Sequence, residues 1–130
     1  MASIFTRIIQ GEIPSFKIAE TDDFYAFLDV FPLAEGHTLV VPKIEVDDIH
    51  HLDPEMYRNL FSFSQTIASA IKKAIPCRKV GMAVVGLEVP HAHIHLIPIN
   101  AVSDMNFSRE KFKADDQQLA DVQRRIMTSL

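Results

Sequence analysis

Apolar residues recur along the 130-residue chain with two different spacings, which predict where the chain is helical and where it is extended. Residues 54–74 have an apolar residue at every third or fourth position, which predicts a long amphipathic helix capped by Asp53. A second helix is predicted from about Asp116. The apolar stripe of the long helix is Leu60, Phe63, Ile67, Ile71 and Ala74. That of the C-terminal helix is Leu119, Val122, Ile126 and Leu130.

Shorter segments are apolar throughout or alternate with a period of two, and these predict strands. Residues 16–28 predict a hairpin of two strands around a polar turn. Residues 37–42 predict a strand buried on both faces. Residues 79–85 and 91–99 are joined by a connection too short for a helical crossover, so we expect them to pair antiparallel.

The order of the predicted elements indicates the fold class. A short helix between Ser3 and Gly11 precedes the hairpin, a strand, the long helix, two strands and the last helix. This order predicts an α+β domain with a mainly antiparallel five-stranded sheet, a long central helix and a C-terminal helix. We expect one domain over residues 1–130, with a core at about 1–100 and a helical tail at about 101–130.

Composition and charge narrow the classes of partner. Hydrophobic residues make up 48% and charged residues 23%, which is typical of a globular protein and argues against disorder. The net charge of −4 with scattered basic residues argues against a nucleic-acid partner. Cys77 is the sole cysteine, and no run of about 18 apolar residues is present, so we expect a cytoplasmic protein without a membrane span.

The candidate chemistry lies in residues 91–99, where three histidines alternate with apolar residues. In an extended strand, His91, His93 and His95 project from one face, about 7 Å apart, close enough to surround one phosphate-sized group. His-x-His on a strand also occurs in zinc sites. The spacing alone therefore leaves metal binding and metal-free histidine chemistry equally open.

Other polar residues have ordinary explanations. Asp29 follows a predicted strand, where a carboxylate is more often a turn residue than a ligand, and His37 lies at the mouth of the next strand. Residues 43–52, with His50 and His51, are predicted to be a solvated polar connection.

Four segments, 4–14, 26–30, 36–43 and 89–98, together resemble the histidine triad superfamily, the HIT proteins. The last segment contains the family signature, in which histidines alternate with apolar residues before an apolar pair. The resemblance spans roughly the first hundred residues and implies a HIT-like fold. It also implies a nucleotide hydrolase or nucleotidyl transferase that acts at the α-phosphate of a purine nucleotide. Such enzymes are usually homodimers and need no metal or other cofactor.

The resemblance also implies roles for individual residues. His93 would attack phosphorus and form a covalent nucleotidyl-histidine, while His95 would contact phosphate oxygens and His37 and His91 would support the site. Asp29 would hold the ribose hydroxyls. The base would lie among Phe5, Phe27, Leu28 and Val30.

The physical chemistry of these residue types agrees with those roles. A histidine with an ordinary pKa near 6.5 is largely neutral at neutral pH, so one ring nitrogen is free to attack, provided that a hydrogen bond fixes the tautomer. Donors such as a protonated His95 and backbone amides can stabilise the charge that spreads over the phosphate oxygens.

Two features depart from the family pattern. Leu87 stands where many members have a glutamine that contacts the phosphate or the leaving group, and losing one such donor can reduce the rate about 10²- to 10³-fold. The alternative function is therefore a purine-nucleotide-binding regulatory module with weak or no catalysis. Ser3 and Thr6 replace the Cys-x-x-Cys zinc pair of some relatives, which argues against that structural zinc.

Overall fold

The computed structural model describes residues 2–111 and 113–130, and within them the chain forms three α-helices, five strands and two short 3₁₀ helices. The α-helices are α1 (Ile4–Ile9), α2 (Pro54–Ala74) and α3 (Asp116–Thr128). The strands are β1 (Lys17–Glu20), β2 (Phe24–Leu28), β3 (Thr38–Pro42), β4 (Lys79–Ala83) and β5 (Ile94–Ile99). The 3₁₀ helices are Ile49–His51 and Val102–Met105.

All five strands belong to one antiparallel sheet in the order β1–β2–β3–β5–β4. The predicted α+β class with a five-stranded sheet is therefore confirmed. Strands β3 and β5 are central, and their register places Leu39 opposite His95 and Val40 opposite Ile94. The histidine segment thus runs into the middle of the sheet.

Helix α2 covers one face of the sheet. Asp53 caps it, and Leu60, Ile67 and Ile71 on its apolar stripe are fully buried. Ala92 and Ile94 belong to the same core, as the predicted alternation requires. The apolar side of the histidine segment is therefore its packing side.

A smaller apolar cluster covers the opposite face near α1. Phe5 packs edge-on against Phe27, with 5.5 Å between ring centroids, and Leu39 and Val41 lie in the same cluster. This cluster positions the N-terminal helix beside the histidines.

The histidine segment differs from its predicted form. Strand β5 begins at Ile94, so His91 and His93 precede it instead of lying within it. The reason is a hydrogen bond between residues distant in sequence: the Ala92 N–H donates to the Val46 carbonyl, 2.7 Å away, which draws residues 91–93 toward the connection after β3.

Three smaller predictions are also wrong. Strand β4 ends at Ala83 and not at Val85, and Leu130 is 54% exposed. The connection over residues 43–52 is only partly solvated, because Ile49 and Leu52 are buried in the core around a 3₁₀ turn. Its histidines, His50 and His51, are exposed as predicted.

Gly36 allows the turn that positions His37. Its φ of +95° suits glycine, and a Cβ there would lie 3.0 Å from Ile75 Cγ1 and 3.1 Å from Pro98 Cγ. The turn is closed by a hydrogen bond from the Asp29 N–H to the His37 carbonyl. Asp29 and His37 are therefore held next to each other.

Within the described residues, no helix combines the length and apolar character needed to cross a membrane.

Candidate active site

His93 is held in one tautomer by the backbone. Its Nδ1 lies 2.7 Å from the carbonyl oxygen of His91, which can only accept, so Nδ1 carries the proton. In the neutral ring, Nε2 then has a free lone pair. Burial lowers the pKa of His93, which favours this neutral form. The ring is 6% exposed and packs edge-on against Phe5, with 4.9 Å between centroids.

His37 and His95 form a directional pair. The Leu33 N–H donates to Nδ1 of His37 at 3.0 Å, so neutral His37 carries its proton on Nε2. That Nε2 lies 2.9 Å from Nδ1 of His95 and donates to it. His95 must therefore carry its own proton on Nε2, where it can donate to a ligand.

Both members of this pair are neutral near pH 7. Burial, followed by the neighbouring histidines, lowers the pKa of His37 and of His95 to about 3. The expectation of a protonated His95 is therefore corrected: the Nε2–H of His95 is a neutral donor. The rings of His93 and His95 have centroids 4.9 Å apart, closer than the predicted spacing of about 7 Å.

His91 lies behind the site. It is fully buried, its Nε2 donates to the Pro42 carbonyl at 2.7 Å, and its Nδ1 lies 2.7 Å from Ser3 Oγ. With both ring nitrogens occupied, His91 does not face a ligand, which corrects the expectation that all three histidines surround one group. Its contribution is the carbonyl that orients His93.

Glu45 ties the N-terminal helix to this arrangement. Its carboxylate accepts hydrogen bonds from the Ser3 N–H and the Thr6 hydroxyl, both at 2.6 Å. The Ser3 hydrogen bond, and after it that of Thr6, lowers the pKa of Glu45 to about 2. Sequence patterns had placed Glu45 on the solvated surface. Ser3 and Thr6 form a hydrogen-bonded network at the positions where some relatives have a cysteine pair.

Asp29 lies at the edge of the His37–His95 pair. Its Oδ1 accepts from the Phe31 N–H at 2.9 Å, and its Oδ2 is 3.7 Å from Nε2 of His37. Burial raises the pKa of Asp29. The carboxylate therefore both shapes the turn after β2 and faces the histidines.

Asp29, His37 and His95 also form a potential metal-ligand group, with one ligand atom from each within 4.8 Å of the others. The 2.9 Å between the two ring nitrogens is a hydrogen-bond distance, shorter than the roughly 3.3 Å that separates two nitrogens on a tetrahedral zinc. The geometry favours a proton-linked pair. Metal-free chemistry stays a prediction.

A cleft of about 550 Å³ opens at His93. Its lining combines apolar and charged side chains. The lining residues are Ile4, Phe5, Asp29, Phe31, Leu39, Glu88, Val89, His93, Phe107, Arg109 and Lys111. An apolar wall suits a flat base, and the position of His93 suits a phosphate next to it.

A second opening of about 340 Å³ reaches His93 from another side. It is lined by the connection over residues 84–87, by Ala92 and by acidic residues of the 47–50 turn. Leu87 in this connection is 90% exposed. His93 is thus accessible from two directions, which suits a reaction with two departing or attacking groups.

Known proteins resemble this chain in sequence. The HIT domain model matches residues 10–102. The chain belongs to the HIT family. It is 40% identical to the Saccharomyces cerevisiae adenosine 5'-monophosphoramidase HNT1 over 75% of this chain and 62% of the yeast protein. It is 33% identical to the Bacillus subtilis protein hit over 92% of this chain and 86% of that one.

Solved structures of HIT proteins have the same fold. A HIT-like protein from Bartonella henselae, described as involved in cell-cycle regulation, superposes with a TM-score of 0.87. It is 30% identical to this chain, and the match covers 98% of this chain and 96% of that one. The expectation of a HIT-like fold is therefore confirmed.

The predicted base-binding residues of this HIT protein lie at different depths. Phe5 lines the large cleft, whereas Phe27 packs behind Phe5 in the small apolar cluster. Leu28 faces a separate cavity of about 100 Å³ between the sheet and α3. Val30 packs against the main core. Phe31 and Leu39, which were not among the predicted base-binding residues, also line the cleft.

Three residues of the HIT protein's cleft carried no signal in the sequence. Phe107, Arg109 and Lys111 belong to the polar tail between the sheet and α3, which has no helix or strand period. Their placement depends on how the tail folds back over His95, which a local pattern does not encode. The available indication of a contact with the site was Phe107, an aromatic residue in a polar tail.

Proposed function

We propose that this HIT protein is a nucleotide hydrolase or nucleotidyl transferase. Its substrate would be a purine nucleotide of the phosphoramidate or dinucleoside polyphosphate type, and the reaction would occur at the α-phosphate. The observation that carries the proposal is the fixed tautomer of His93, which leaves Nε2 unprotonated at the end of a nucleotide-sized cleft. The yeast relative's name, an adenosine 5'-monophosphoramidase, supports the substrate class.

The chemistry follows from the two fixed tautomers. Nε2 of His93 attacks phosphorus, a P–N bond forms, and the bond from phosphorus to the leaving amine or phosphate breaks with its electron pair. The His91 carbonyl keeps the Nδ1 proton of His93 hydrogen-bonded and so stabilises the cationic ring of the nucleotidyl-histidine. Water then attacks phosphorus and loses one proton to the solvent, which balances the proton that an amine leaving group takes up. The P–N bond breaks with its electron pair returning to Nε2, and neutral His93 is restored with the nucleotide bearing the new oxygen.

The neighbouring residues support this reaction. His95 keeps its proton on Nε2 because His37 donates to its Nδ1, so it could donate to a phosphate oxygen without carrying a charge of its own. Asp29 at the cleft wall can accept from the ribose hydroxyls. The base would pack near Phe5, which Phe27 supports in the small apolar cluster, whereas Leu28 and Val30 pack in the main core.

Trapping the intermediate tests this function. Incubation with labelled adenosine 5'-phosphoramidate, followed by acid-free digestion and mass spectrometry, is expected to find an AMP adduct on His93. His93→Ala should form no adduct, whereas His51→Ala, which changes an exposed histidine outside the site, should behave like the parent. Neither adduct nor turnover in the parent would contradict the proposal.

A second candidate is a purine-nucleotide-binding regulatory module. It is favoured by Leu87, which cannot form a hydrogen bond at the connection beside His93. This function predicts that the parent protein binds AMP with negligible hydrolysis and that binding survives His93→Ala. Efficient turnover by the parent would exclude it.

We also propose that the protein is a homodimer. Strand β4 is an edge strand with a partner on one side, and Met82, Val84 and Val85 beside it are more than 40% exposed. Antiparallel pairing of two β4 edges would continue the sheet and cover these residues. Sedimentation of the parent and of Met82→Lys tests this: the parent should be dimeric and the variant shifted toward monomer.

A further inference from the structure

The histidines bring little positive charge to a cleft proposed to bind an anion. His37 and His95 have a pKa of about 3, and burial lowers the pKa of His93, so all three are neutral near pH 7. Asp29 and Glu88 on the same walls add negative charge. A nucleotide phosphate is anionic, so its binding needs a cation from another part of the fold.

The permanently charged cations that line the cleft, Arg109 and Lys111, belong to the tail between the sheet and α3. Residues 107–111, which we name the cationic arm, fold back over the histidines between the second 3₁₀ helix and α3. Phe107 packs edge-on against the His95 ring, with 4.9 Å between centroids. The Arg109 guanidinium donates to the Leu33 carbonyl. Lys111 Nζ lies 5.8 Å from the centroid of the Phe107 ring.

These contacts give the arm residues separate tasks. Arg109 is bound to the carbonyl of a loop residue four positions after Asp29, so it anchors the arm to the cleft wall. Phe107 covers His95 and supports the Lys111 ammonium on its face through a cation–π contact. Lys111 is left as the cation that can turn into the cleft.

The position of Lys111 relative to the site is consistent with this role. Its charge contributes to the lowered pKa of His37 and of His95, and at Asp29 it opposes the increase in pKa that burial causes. Asp29 lines the cleft, and the His95 ring lies 4.9 Å from the ring of His93, beside which a phosphate would lie. A cation close enough to act on them is close enough to attract that phosphate.

We infer that Lys111 is a specificity-determining residue that binds the phosphate oxygens of the nucleotide, with Phe107 and Arg109 positioning it. This inference rests on the proposed function and deepens it. Because a point charge attracts each added negative charge, the affinity should rise along the series adenosine, AMP and ADP. The protein would thereby favour substrates whose leaving group carries further phosphates.

Isothermal titration of the whole protein with this series tests the inference. Lys111→Met is expected to weaken AMP binding about 10-fold or more and ADP binding further, because a charge-assisted hydrogen bond is lost, while adenosine binding is unchanged. Lys111→Arg should restore most of the loss. Lys113→Met is the matched control, since Lys113 is exposed two residues further along the chain, and it should leave all three affinities unchanged.

The outcomes separate the two proposals. If Lys111→Met leaves AMP binding intact, or weakens adenosine as much as AMP, the role of Lys111 is wrong, although an adduct on His93 would still support the enzyme. If the parent forms no adduct and binds no AMP, the proposed function is wrong. Titration with inorganic pyrophosphate then tests the cationic arm alone. If the parent binds pyrophosphate and Lys111→Met does not, the role of Lys111 is supported; if the parent does not bind pyrophosphate, that role is wrong.

Discussion

Nε2 of His37 donates a hydrogen bond to Nδ1 of His95 across 2.9 Å, and this fixes which nitrogen of His95 faces the ligand. The direction is set by the Leu33 N–H, which occupies the other nitrogen of His37. Through His37, the Leu33 N–H thus determines which ring nitrogen of His95 carries the proton. In the proposed reaction His37, which is buried and does not line the main cleft, would therefore act through His95.

Two substitutions at His37 separate its two hydrogen bonds. His37→Gln places an amide N–H near the former Nε2 and can still donate to His95, whereas His37→Asn keeps an acceptor for the Leu33 N–H and loses the donor. We expect kcat for adenosine 5'-phosphoramidate to fall about 10- to 100-fold in His37→Asn and much less in His37→Gln. Steady-state kinetics measure this. Equal losses in the two variants would show that the tautomer of His95 does not depend on this donor.

The same pair makes stability depend on pH. His37 and His95 have pKa values lowered to about 3 in the folded protein, against about 6.5 when unfolded. Between these values the unfolded chain binds more protons, so the free energy of unfolding falls as the pH falls from about 6.5 toward 3. The slope approaches about 1.4 kcal/mol per pH unit for each histidine. Asp29, whose pKa is raised, contributes with the opposite sign.

Urea unfolding between pH 7.5 and 5 measures this slope above the range where most carboxyl groups titrate. His37→Gln should remove about a third to a half of it, because His95 and also His93 have lowered pKa values, and His51→Gln, at an exposed position, should leave it unchanged. A flat profile in the parent would contradict the lowered pKa values.

The sequence patterns predicted those parts of the fold that depend on local periodicity. Helix α2 begins at Pro54 after its Asp53 cap, as predicted, because both the cap and the apolar stripe are local properties. The alternation at residues 91–96 also correctly placed Ala92 and Ile94 in the core. The start of β5 was missed because it depends on Ala92 bonding to Val46, a residue distant in sequence.

The family resemblance named the candidate site residues His93, His95, His37 and Asp29, but it could not give their geometry. The histidine tautomers depend on partners such as the Leu33 N–H and the His91 carbonyl. Lowered pKa values likewise arise from burial, which only the folded chain produces. The cationic arm was missed because tertiary packing over His95, and not a repeat in the sequence, brings it to the cleft.

Gly36 is expected to be essential for holding His37 in place. Gly36→Ala puts a Cβ on a backbone with φ of +95° and within 3.0 Å of Ile75 Cγ1. Gly11→Ala is the matched control, since φ there is +81° and a Cβ would meet no atom within 4 Å. Denaturant unfolding should show a loss of about 1 kcal/mol for Gly11→Ala from backbone strain alone.

For Gly36→Ala the loss should be larger by about 1 kcal/mol or more, because the neighbouring side chains must also shift. Kinetics with adenosine 5'-phosphoramidate should then show a lower kcat for Gly36→Ala and an unchanged kcat for Gly11→Ala. Similar stability losses in the two variants would mean that the packing around Gly36 adjusts freely.

A substitution at Leu87 tests how much the rate is reduced because leucine cannot form a hydrogen bond at this position. Its side chain is 90% exposed in the connection that borders His93, so a polar replacement there disturbs little packing. Leu87→Gln adds an amide that can donate to a phosphate oxygen or to the leaving group, and one such donor is worth about 10²- to 10³-fold in favourable geometry. Because the connection is short, we expect a smaller gain in kcat, of about 10-fold.

Val102→Gln, at a residue that is 92% exposed and outside both openings at His93, controls for the change in surface polarity. Stopped assays with adenosine 5'-phosphoramidate measure both variants. A rate that rises in Leu87→Gln alone would assign the missing contact to this position, whereas an unchanged rate would mean that the cleft already provides the donors that its reaction needs.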